Sequence, residues 1–436
     1  MTGPMRLTDD FIRFALTPPD DDAAVGLGQA IREEVGRTAQ RRFWWTPLRR
    51  WFGPLGPSRE LRVAGVLAAL IALLLVAAII VGTRPPVLLG DGSMFHGGPA
   101  RTGEMADPGP QRAGNIVWQA QLPGPLTNTM PALAGGRLFV ADGRGSVTVW
   151  DAATGAEGWL RSLPRPATSP AAANGVLVVA AGDGVYGLAM DSGATRWHVE
   201  SVDPVTSAPA IVGADVFVGF PDGSVGAYDL QSGSQLWRTP PIAGPISRAV
   251  SAGAGLVYAG GGAGVFVAVR ATDGSVAWRA DLGPGDVASS AIRDGVVYVA
   301  SGLGSDASHA LFALDAATGV ERWRYAAPSG DELYVAAVGP DLVYAVGLDG
   351  AVTALRDGAV IWTYDTGAPI GSVASLSGGV LYVSVSDGRI VALDAGSGAA
   401  RWTLTLQGDA GPAIPAGGRL YVGTSVGLLA AIGGSP

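Results

Sequence analysis

The residues that could carry chemistry in this chain are few, and most are spaced too widely to form a catalytic centre. Cysteine is absent, which excludes disulfides and thiolate metal sites. The histidines, His96, His198 and His309, are far apart, and no acidic cluster has the spacing of a metal-binding loop. No nucleophile is paired with a base at a recognisable spacing. We therefore expect no catalytic residue, no bound metal and no cofactor.

A set of carboxylates remains as a candidate binding surface. Some aspartates precede a glycine and are explained by tight turns, namely Asp142, Asp183, Asp222, Asp349 and Asp387. The candidates for a ligand- or partner-binding face are Asp203, Asp286, Asp331, Glu332, Asp365 and Asp409, together with Asp306 and His309 of a longer loop. Two interpretations stay open for the candidates: solvated loop charges, or a mouth that binds a cation or a basic segment.

A repeat of tryptophans predicts the secondary-structure elements that position these residues. Its members are Trp118, Trp159, Trp197, Trp237, Trp278, Trp323, Trp362 and Trp402, at intervals of 41, 38, 40, 41, 45, 39 and 40 residues. Self-similarity at this period indicates a repeat architecture. About forty residues hold four short strands and their turns, which is one blade of a β-propeller. Because the tryptophans recur once per blade, we expect them to pack between blades rather than hold a cofactor.

One copy of the repeat shows how the strands are bounded. Residues 380–384 and 389–393 are predicted strands, joined by the Asp387-Gly388 hairpin turn. The turn at Asp394–Gly398 leads to the strand that holds Trp402. The copies at Asp191, Arg270 and Arg356 depart from this pattern, and we expect backbone geometry alone to hold their turns.

The count of repeats predicts eight blades and the way in which they close. Seven segments end in a tryptophan, from Trp159 to Trp402, whereas the last one, residues 411–432, has only three strands. Residues 115–122 (NIVWQAQL) are a lone copy of the tryptophan strand near the other end. We predict that this strand completes the eighth blade, which removes an open sheet edge. The fold class is therefore all-β, an eight-bladed propeller of four-stranded antiparallel blades, and the blade-to-blade connectors place the candidate acids on one face.

An apolar segment precedes the propeller. Residues 63–83 carry no charge, and as a helix they are long enough to cross the hydrocarbon core. Arginines are abundant before this segment and scarce just after it, which predicts a cytoplasmic N-terminus and an extracytoplasmic propeller. The predicted domains are a cytoplasmic, partly helical segment (1–60), a transmembrane helix (61–84), a lead-in (85–114) and the propeller (115–436). The expected location is the inner (cytoplasmic) membrane, in a single pass.

The charge distribution bears on partners. Residues 85–436 contain 18 arginines and 29 acidic residues, which argues against nucleic acid as a ligand. Residues 1–60 contain nine arginines and eight acidic residues. They could form a docking peptide for a cytoplasmic partner or a partly disordered tail.

The turn-and-tryptophan unit resembles the quinoprotein (PQQ-like) repeat, as in Asp151-Ala-Ala-Thr-Gly155 followed by Trp159. Residues 91–103 (DGSMFHGGPARTG) are similar to the lead-in that often precedes such propellers. The resemblance covers residues 91–436 and implies an eight-bladed propeller. It is shared by quinone-dependent alcohol dehydrogenases and by the non-enzymatic assembly factor BamB. The dehydrogenases share a vicinal cysteine pair that stacks on the quinone and a metal bound by carboxylates. Because this chain has no cysteine, it resembles the BamB-like branch more closely.

We therefore expect a membrane-anchored, extracytoplasmic scaffold that binds other envelope or membrane proteins and catalyses nothing. One alternative is a transmembrane sensor that signals to a cytoplasmic partner through residues 1–60. A second alternative is a quinone-dependent dehydrogenase. Since one fold hosts many functions, the resemblance supports the fold more strongly than any of these activities.

Overall fold

The structure, a computed structural model, describes residues 93–126, 129–303, 309–328 and 330–433. All of them belong to the unit Pro86–Pro436. The predicted cytoplasmic segment (1–60), the predicted membrane span (63–83) and Asp306 lie outside the described residues. Within the described ranges, no helix is long and apolar enough to cross a membrane.

The described residues form short strands with one 3₁₀ turn, Gly262–Gly264, between the strands Leu256–Gly260 and Val265–Arg270. The strands of the first half are β1 (Asn115–Gln121), β2 (Ala132–Ala134), β3 (Arg137–Ala141), β4 (Ser146–Asp151), β5 (Glu157–Ser162), β6 (Ala171–Ala173), β7 (Val176–Ala181), β8 (Gly184–Ala189), β9 (Thr195–Glu200), β10 (Ala210–Val212), β11 (Asp215–Gly219), β12 (Val225–Asp229), β13 (Gln235–Arg238), β14 (Ser251–Gly253), β15 (Leu256–Gly260), β16 (Val265–Arg270) and β17 (Val276–Asp281). Those of the second half are β18 (Asp286–Val287), β19 (Ala291–Arg293), β20 (Val296–Leu303), β21 (Ala310–Asp315), β22 (Glu321–Ala326), β23 (Leu333–Val338), β24 (Val343–Gly347), β25 (Ala351–Arg356), β26 (Ala359–Asp365), β27 (Ser375–Ser377), β28 (Val380–Ser384), β29 (Arg389–Asp394), β30 (Ala400–Thr405), β31 (Ile414–Ala416), β32 (Arg419–Gly423) and β33 (Leu428–Gly433).

These strands form eight antiparallel sheets, which are the blades of the predicted propeller. Blades 1 to 4 are β2–β5, β6–β9, β10–β13 and β14–β17, and blades 6 and 7 are β23–β26 and β27–β30. Blade 5 has five strands, because the short β18 and β19 both pair with the long β20. The all-β, eight-bladed fold is thus confirmed within the described part of the chain.

Blade 8 is closed by the N-terminal strand, as the tryptophan count predicted. Its strand order is β1-β33-β32-β31. The antiparallel register of β1 and β33 runs from Asn115 opposite Gly433 to Gln121 opposite Leu428, with a bulge between Ile116 and Trp118. The last strand of the chain therefore has a partner on both sides, and the two ends of the propeller are held together by backbone hydrogen bonds.

The apolar core is divided among the contacts between blades. Eight buried clusters are present in the described chain, and each draws most of its residues from two neighbouring blades. The second and third strands of a blade are almost entirely buried, as in β7 and β8. The fourth strand alternates between exposed and buried positions, as in β30. The continuous apolar runs of the inner strands follow from this burial on both faces of the sheet.

The repeated tryptophans lie where one blade meets the next. The indole Nε1–H of Trp197 in blade 2 donates to the carbonyl of Leu230 in blade 3, at 2.9 Å. Equivalent bonds to the next blade are made by Trp118, Trp159, Trp237, Trp278 and Trp362. The indole ring also lies on the turn glycine of that blade. A Cβ on Gly233 would come within 2.6 Å of Trp197, and φ at Gly233 is +70°. Only glycine satisfies both constraints.

Of the three irregular turns, the one at Arg270 is not held by backbone geometry alone, contrary to expectation. Asp273, three residues after Arg270, accepts hydrogen bonds from the backbone N–H and the hydroxyl of Ser275, at 2.9 and 2.6 Å. Near Asp191, the residue at the usual aspartate position is Ala189, whose carbonyl accepts from Gly193 N–H at 2.8 Å. That turn is therefore as long as the others, and the sequence assigned its first residue two positions too late.

The lead-in lies against the innermost strands. Its backbone carbonyls accept hydrogen bonds from the middle of several first strands: Ser93 from Ala172, Pro99 from Ala252, Ala100 from Ile292 and Gly103 from Leu376, each between 2.7 and 2.8 Å. This path follows blades 2, 4, 5 and 7 in turn, so residues 93–105 run around the inside of the central channel. These lead-in residues accept hydrogen bonds from the free edges of the innermost strands, which have no neighbouring strand on the side of the channel.

The end of the lead-in replaces a turn that the eighth blade lacks. In blade 8 no turn joins β33 to β1, because these two strands come from opposite ends of the propeller sequence; in the other blades such a turn receives the neighbouring tryptophan. Here the carbonyl of Pro110 accepts from Trp402 Nε1–H and from the hydroxyl of Tyr382, both at 3.2 Å. The same interblade contact is thus made by a segment from the opposite end of the sequence.

Candidate functional site: the connector face and its axial mouth

The connector face is the side of the propeller that carries the blade-to-blade connectors and the turns between second and third strands. The aspartates of those turns are used locally. Asp222 accepts from Ser224 and pairs with Arg238 at 2.9 Å, and Asp387 pairs with Arg389 at 2.6 Å. Burial raises the pKa of Asp222, but the hydrogen bonds from Ser224 and Arg238 outweigh burial and lower the pKa below its usual value. These acids stabilise turns, as the sequence indicated.

The predicted connector acids are spread around the face rather than gathered. Asp203, Asp286, Asp365 and Asp409 are exposed and lie in different connectors. Glu332 accepts from the hydroxyl of Tyr334 at 3.0 Å. Within the described ranges, no group of three histidine, aspartate or glutamate side chains is placed to hold a metal ion.

The longer loop of blade 5 is described only at its ends, and Asp306 is outside them. His309, which directly precedes β21, is buried, and its Nδ1 lies 2.7 Å from the carbonyl of Gly330. This contact joins the loop to the connector that holds Asp331 and Glu332. It gives His309 a structural role, and the sequence identified the residue without indicating this partner.

A sequence match to a catalytic motif lies on this face but has the wrong context. Residues 423–427 read Gly-Thr-Ser-Val-Gly, the spacing of a nucleophile elbow, which requires a strand-to-helix turn. Here the segment is the hairpin turn between β32 and β33, and the hydroxyl of Ser425 accepts from the backbone of Asp409 at 2.8 Å. This serine caps a connector, and within the described structure its hydroxyl donates to no histidine, aspartate or glutamate side chain.

The mouth of the central channel on the connector face contains a cavity of about 150 Å³. The lead-in forms its floor with Phe95 and His96, whose rings stack at 5.0 Å. Its walls come from the connectors and first strands of blades 4 to 8, and include Arg248, Ser289, Tyr334 and Ser372. No carboxylate lines this cavity. The acidic face thus surrounds a mouth whose own charged lining residue is an arginine.

The floor of the cavity is held by two buried titratable residues of the lead-in. Arg101 is fully buried, and its guanidinium donates to the carbonyls of Val250 at 3.0 Å and Pro209 at 2.7 Å. Burial lowers the pKa of Arg101 to about 9. Burial, and then the charge of Arg101, lower the pKa of His96 to about 4, so His96 is neutral at pH 7. Sequence reasoning singled out this segment as a lead-in but did not place it in the channel.

The arrangement does not fit the quinone and metal of the dehydrogenases that share this repeat. Sites for larger organic ligands usually measure about 300–1,000 Å³, and this cavity is about 150 Å³. The chain has no cysteine to stack on a quinone, and no carboxylate of the lining could bind a metal beside it. Fold and site together define a closed eight-bladed propeller with a small cavity at its axis, lined by both polar and apolar side chains.

Sequence comparison assigns that propeller to a family. The family described as "Outer membrane protein assembly factor BamB" matches residues 109–252, 221–373 and 348–435, and the chain belongs to it. BamB of Yersinia pestis is 28% identical over 243 residues, which cover 49% of this chain and 60% of that protein. The serine/threonine-protein kinase AfsK of Streptomyces griseus is 31% identical over 181 residues, which cover 38% of this chain and 22% of the kinase. The chain thus spans less than two thirds of each of these relatives.

Solved structures show the same architecture. BamB from Moraxella catarrhalis superposes with a TM-score of 0.59 at 20% identity, over 73% of this chain and 99% of that one. A europium-containing methanol dehydrogenase superposes with a TM-score of 0.62 at 14% identity, over 78% of this chain and 89% of that one. At such identities these likenesses concern the fold alone.

Proposed function

We propose that this chain is a membrane-anchored, extracytoplasmic scaffold that binds other envelope proteins through its connector face and has no catalytic activity. Membership of the BamB family carries the proposal, because the family is described by an assembly role. The physical support is a rigid propeller whose apolar core lies between blades, which leaves the loops free to vary and to bind.

The connector face has apolar side chains suited to protein contacts. Val202 is fully exposed in the connector between blades 2 and 3, Leu348 is 39% exposed in a turn of blade 6, and Val426 is 50% exposed in a turn of blade 8. Exposed acids such as Asp203 lie beside them. Apolar anchors with a charged rim are typical of protein interfaces.

Site-specific photo-crosslinking in intact cells tests the proposal. A photoreactive residue is placed at Val202, Leu348 or Val426 of the full chain, and crosslinked proteins are identified by mass spectrometry. We expect the same envelope protein to be captured from at least two of these positions. The matched controls are Val320 and Val212, which are exposed on the opposite face. Equal capture from both faces, or none from the connector face, would contradict the proposed surface.

The membrane anchor is part of the proposal and rests on the sequence. Residues 63–83 form an uncharged apolar segment with arginines concentrated before it. We propose that the segment crosses the inner membrane once and places the propeller outside the cytoplasm. This location would bring the connector face to envelope partners.

A second candidate function is a transmembrane sensor. Its support is the similarity to a protein named as a serine/threonine-protein kinase. The matched region covers only 22% of that kinase. In this alternative, residues 1–60 bind a cytoplasmic partner. Deleting residues 1–42 distinguishes the two functions. If the chain is a scaffold, the shortened protein still forms the crosslinks from Val202. If it is a sensor, a cytoplasmic partner that copurifies with the full chain no longer copurifies with the shortened one. The dehydrogenase is the least supported alternative, because the cavity and its lining do not fit a quinone.

A further inference from the structure

The axial cavity contains polar atoms that the described protein does not satisfy. The hydroxyl oxygen of Ser372 and the Nε2 of His96 are buried and have no hydrogen-bond partner there. His96 is only 3% exposed. A buried polar atom without a hydrogen-bond partner destabilises the folded protein, so water or a ligand in the cavity would relieve this cost.

The tautomer of His96 defines what it can bind. Its Nδ1 lies 3.1 Å from the carbonyl of Arg101, which can only accept, so the proton of the neutral imidazole belongs on Nδ1. Nε2 is then an acceptor without a donor. The backbone of Ala374 lies near the imidazole and raises the pKa of His96 slightly against the larger effect of burial. It makes no hydrogen bond with Nε2. A partner for Nε2 must therefore bring an N–H or O–H group.

The opposite side of the cavity selects an anion. Arg248 lines the cavity from an exposed position on the connector before blade 4, and it makes no hydrogen bond or ion pair with a described residue. The hydroxyl of Ser289 accepts from the backbone of Ala249 at 3.1 Å and still has its own proton to donate. Guanidinium and hydroxyl groups are the usual partners of a carboxylate.

We propose that this cavity is a binding site for a small organic carboxylate that also carries a hydrogen-bond donor, such as a 2-hydroxy acid. The carboxylate would bind Arg248 and a serine hydroxyl, and the donor would bind Nε2 of His96. The volume of about 150 Å³ holds about five water molecules, which suits a compound of the size of lactate. The stacked rings of Phe95 and His96 would contact its carbon atoms.

Calorimetric titration of the purified full-length chain tests the site with three probes. Lactate has both groups, acetate has the carboxylate without the donor, and propane-1,2-diol has donors without the charge. We expect lactate to bind about tenfold more tightly than acetate, as for one hydrogen bond to a buried acceptor. The diol is expected not to bind at about 10 mM, the upper concentration tested.

Variants assign the groups. Arg248→Gln is expected to abolish binding of lactate and acetate, whereas His96→Phe keeps an aromatic ring and should reduce lactate to the affinity of acetate. Arg165→Gln is the control, because Arg165 is exposed on the same face but does not line the cavity. If His96→Phe does not fold, Arg248→Gln and Ser372→Ala decide, because Arg248 is exposed and Ser372 is only half-buried as a residue. Absence of lactate binding to the unsubstituted chain, or unchanged binding to Arg248→Gln, would overturn the proposal.

Discussion

At the scale of single residues, the contact between neighbouring blades depends on one tryptophan and one glycine. Trp237 donates to the carbonyl of Ala271 at 2.8 Å, and its indole ring lies on Gly274 of the next blade, where a Cβ would be only 2.5 Å away. Trp237→Ala should lower the free energy of unfolding by roughly 3–5 kcal/mol. Trp237→Phe keeps most of the packing and should lose less. Urea unfolding checks both, with Val202→Ala as the exposed control. Equal stability of the alanine variant and the original chain would contradict this role.

Turn aspartates give the propeller a predicted acid dependence. Hydrogen bonds from Arg401 and Ser397 lower the pKa of Asp394 from 3.8 to about 2. Arg322 and Thr318 do the same for Asp315, again to about 2. Because the folded-state pKa lies below the unfolded-state value, their stabilising contribution is complete above about pH 4 and is lost as the pH falls towards 2.

The melting temperature measured from about pH 5 to about pH 2 tests this dependence. Asp394→Asn should lower the melting temperature at the upper end and flatten the decline. Asp203→Asn is the control, because the carboxylate of Asp203 accepts no hydrogen bond from a described residue. An Asp394→Asn profile parallel to that of the original chain would exclude the proposed contribution of Asp394.

At the scale of elements, β1 joins the two ends of the propeller. Gln121 is paired with Leu428 at the end of the β1–β33 ladder, and the chain has no cysteine of its own. The double variant Gln121→Cys, Leu428→Cys should form an intramolecular disulfide on oxidation and raise the melting temperature, because the bond closes a very long loop. A gel shift reversed by reductant measures the bond.

The matched control for this crosslink combines Gln121→Cys with Val320→Cys, which lies in blade 5 on the opposite face. That pair should remain reduced as a monomer. If the Gln121–Leu428 pair also stayed reduced under the same conditions, blade 8 would not be closed by the N-terminal strand.

At the scale of the whole molecule, the sequence predicts an uncleaved membrane protein with its propeller outside the cytoplasm. The arginines before residues 63–83 should keep the N-terminus inside. A reporter that is active only outside the membrane, fused after Pro436, should be active, and the same reporter fused after Met1 should be inactive. Edman sequencing of the mature protein should begin near Met1. A mature N-terminus beyond Arg84 would exclude the anchor.

The sequence by itself determined the blades, because each is built from contacts local in the chain. The spacing of the tryptophans, the Asp-Gly turns and the alternating strands all lie within about forty residues, and the lone strand at 115–121 followed from counting them. The tertiary structure decided the axial mouth. Arg101 binds carbonyls of Ala208, Pro209 and Val250, and His96 meets connectors of distant blades. No periodicity marks such contacts, since they form only when eight blades bring remote segments to one axis.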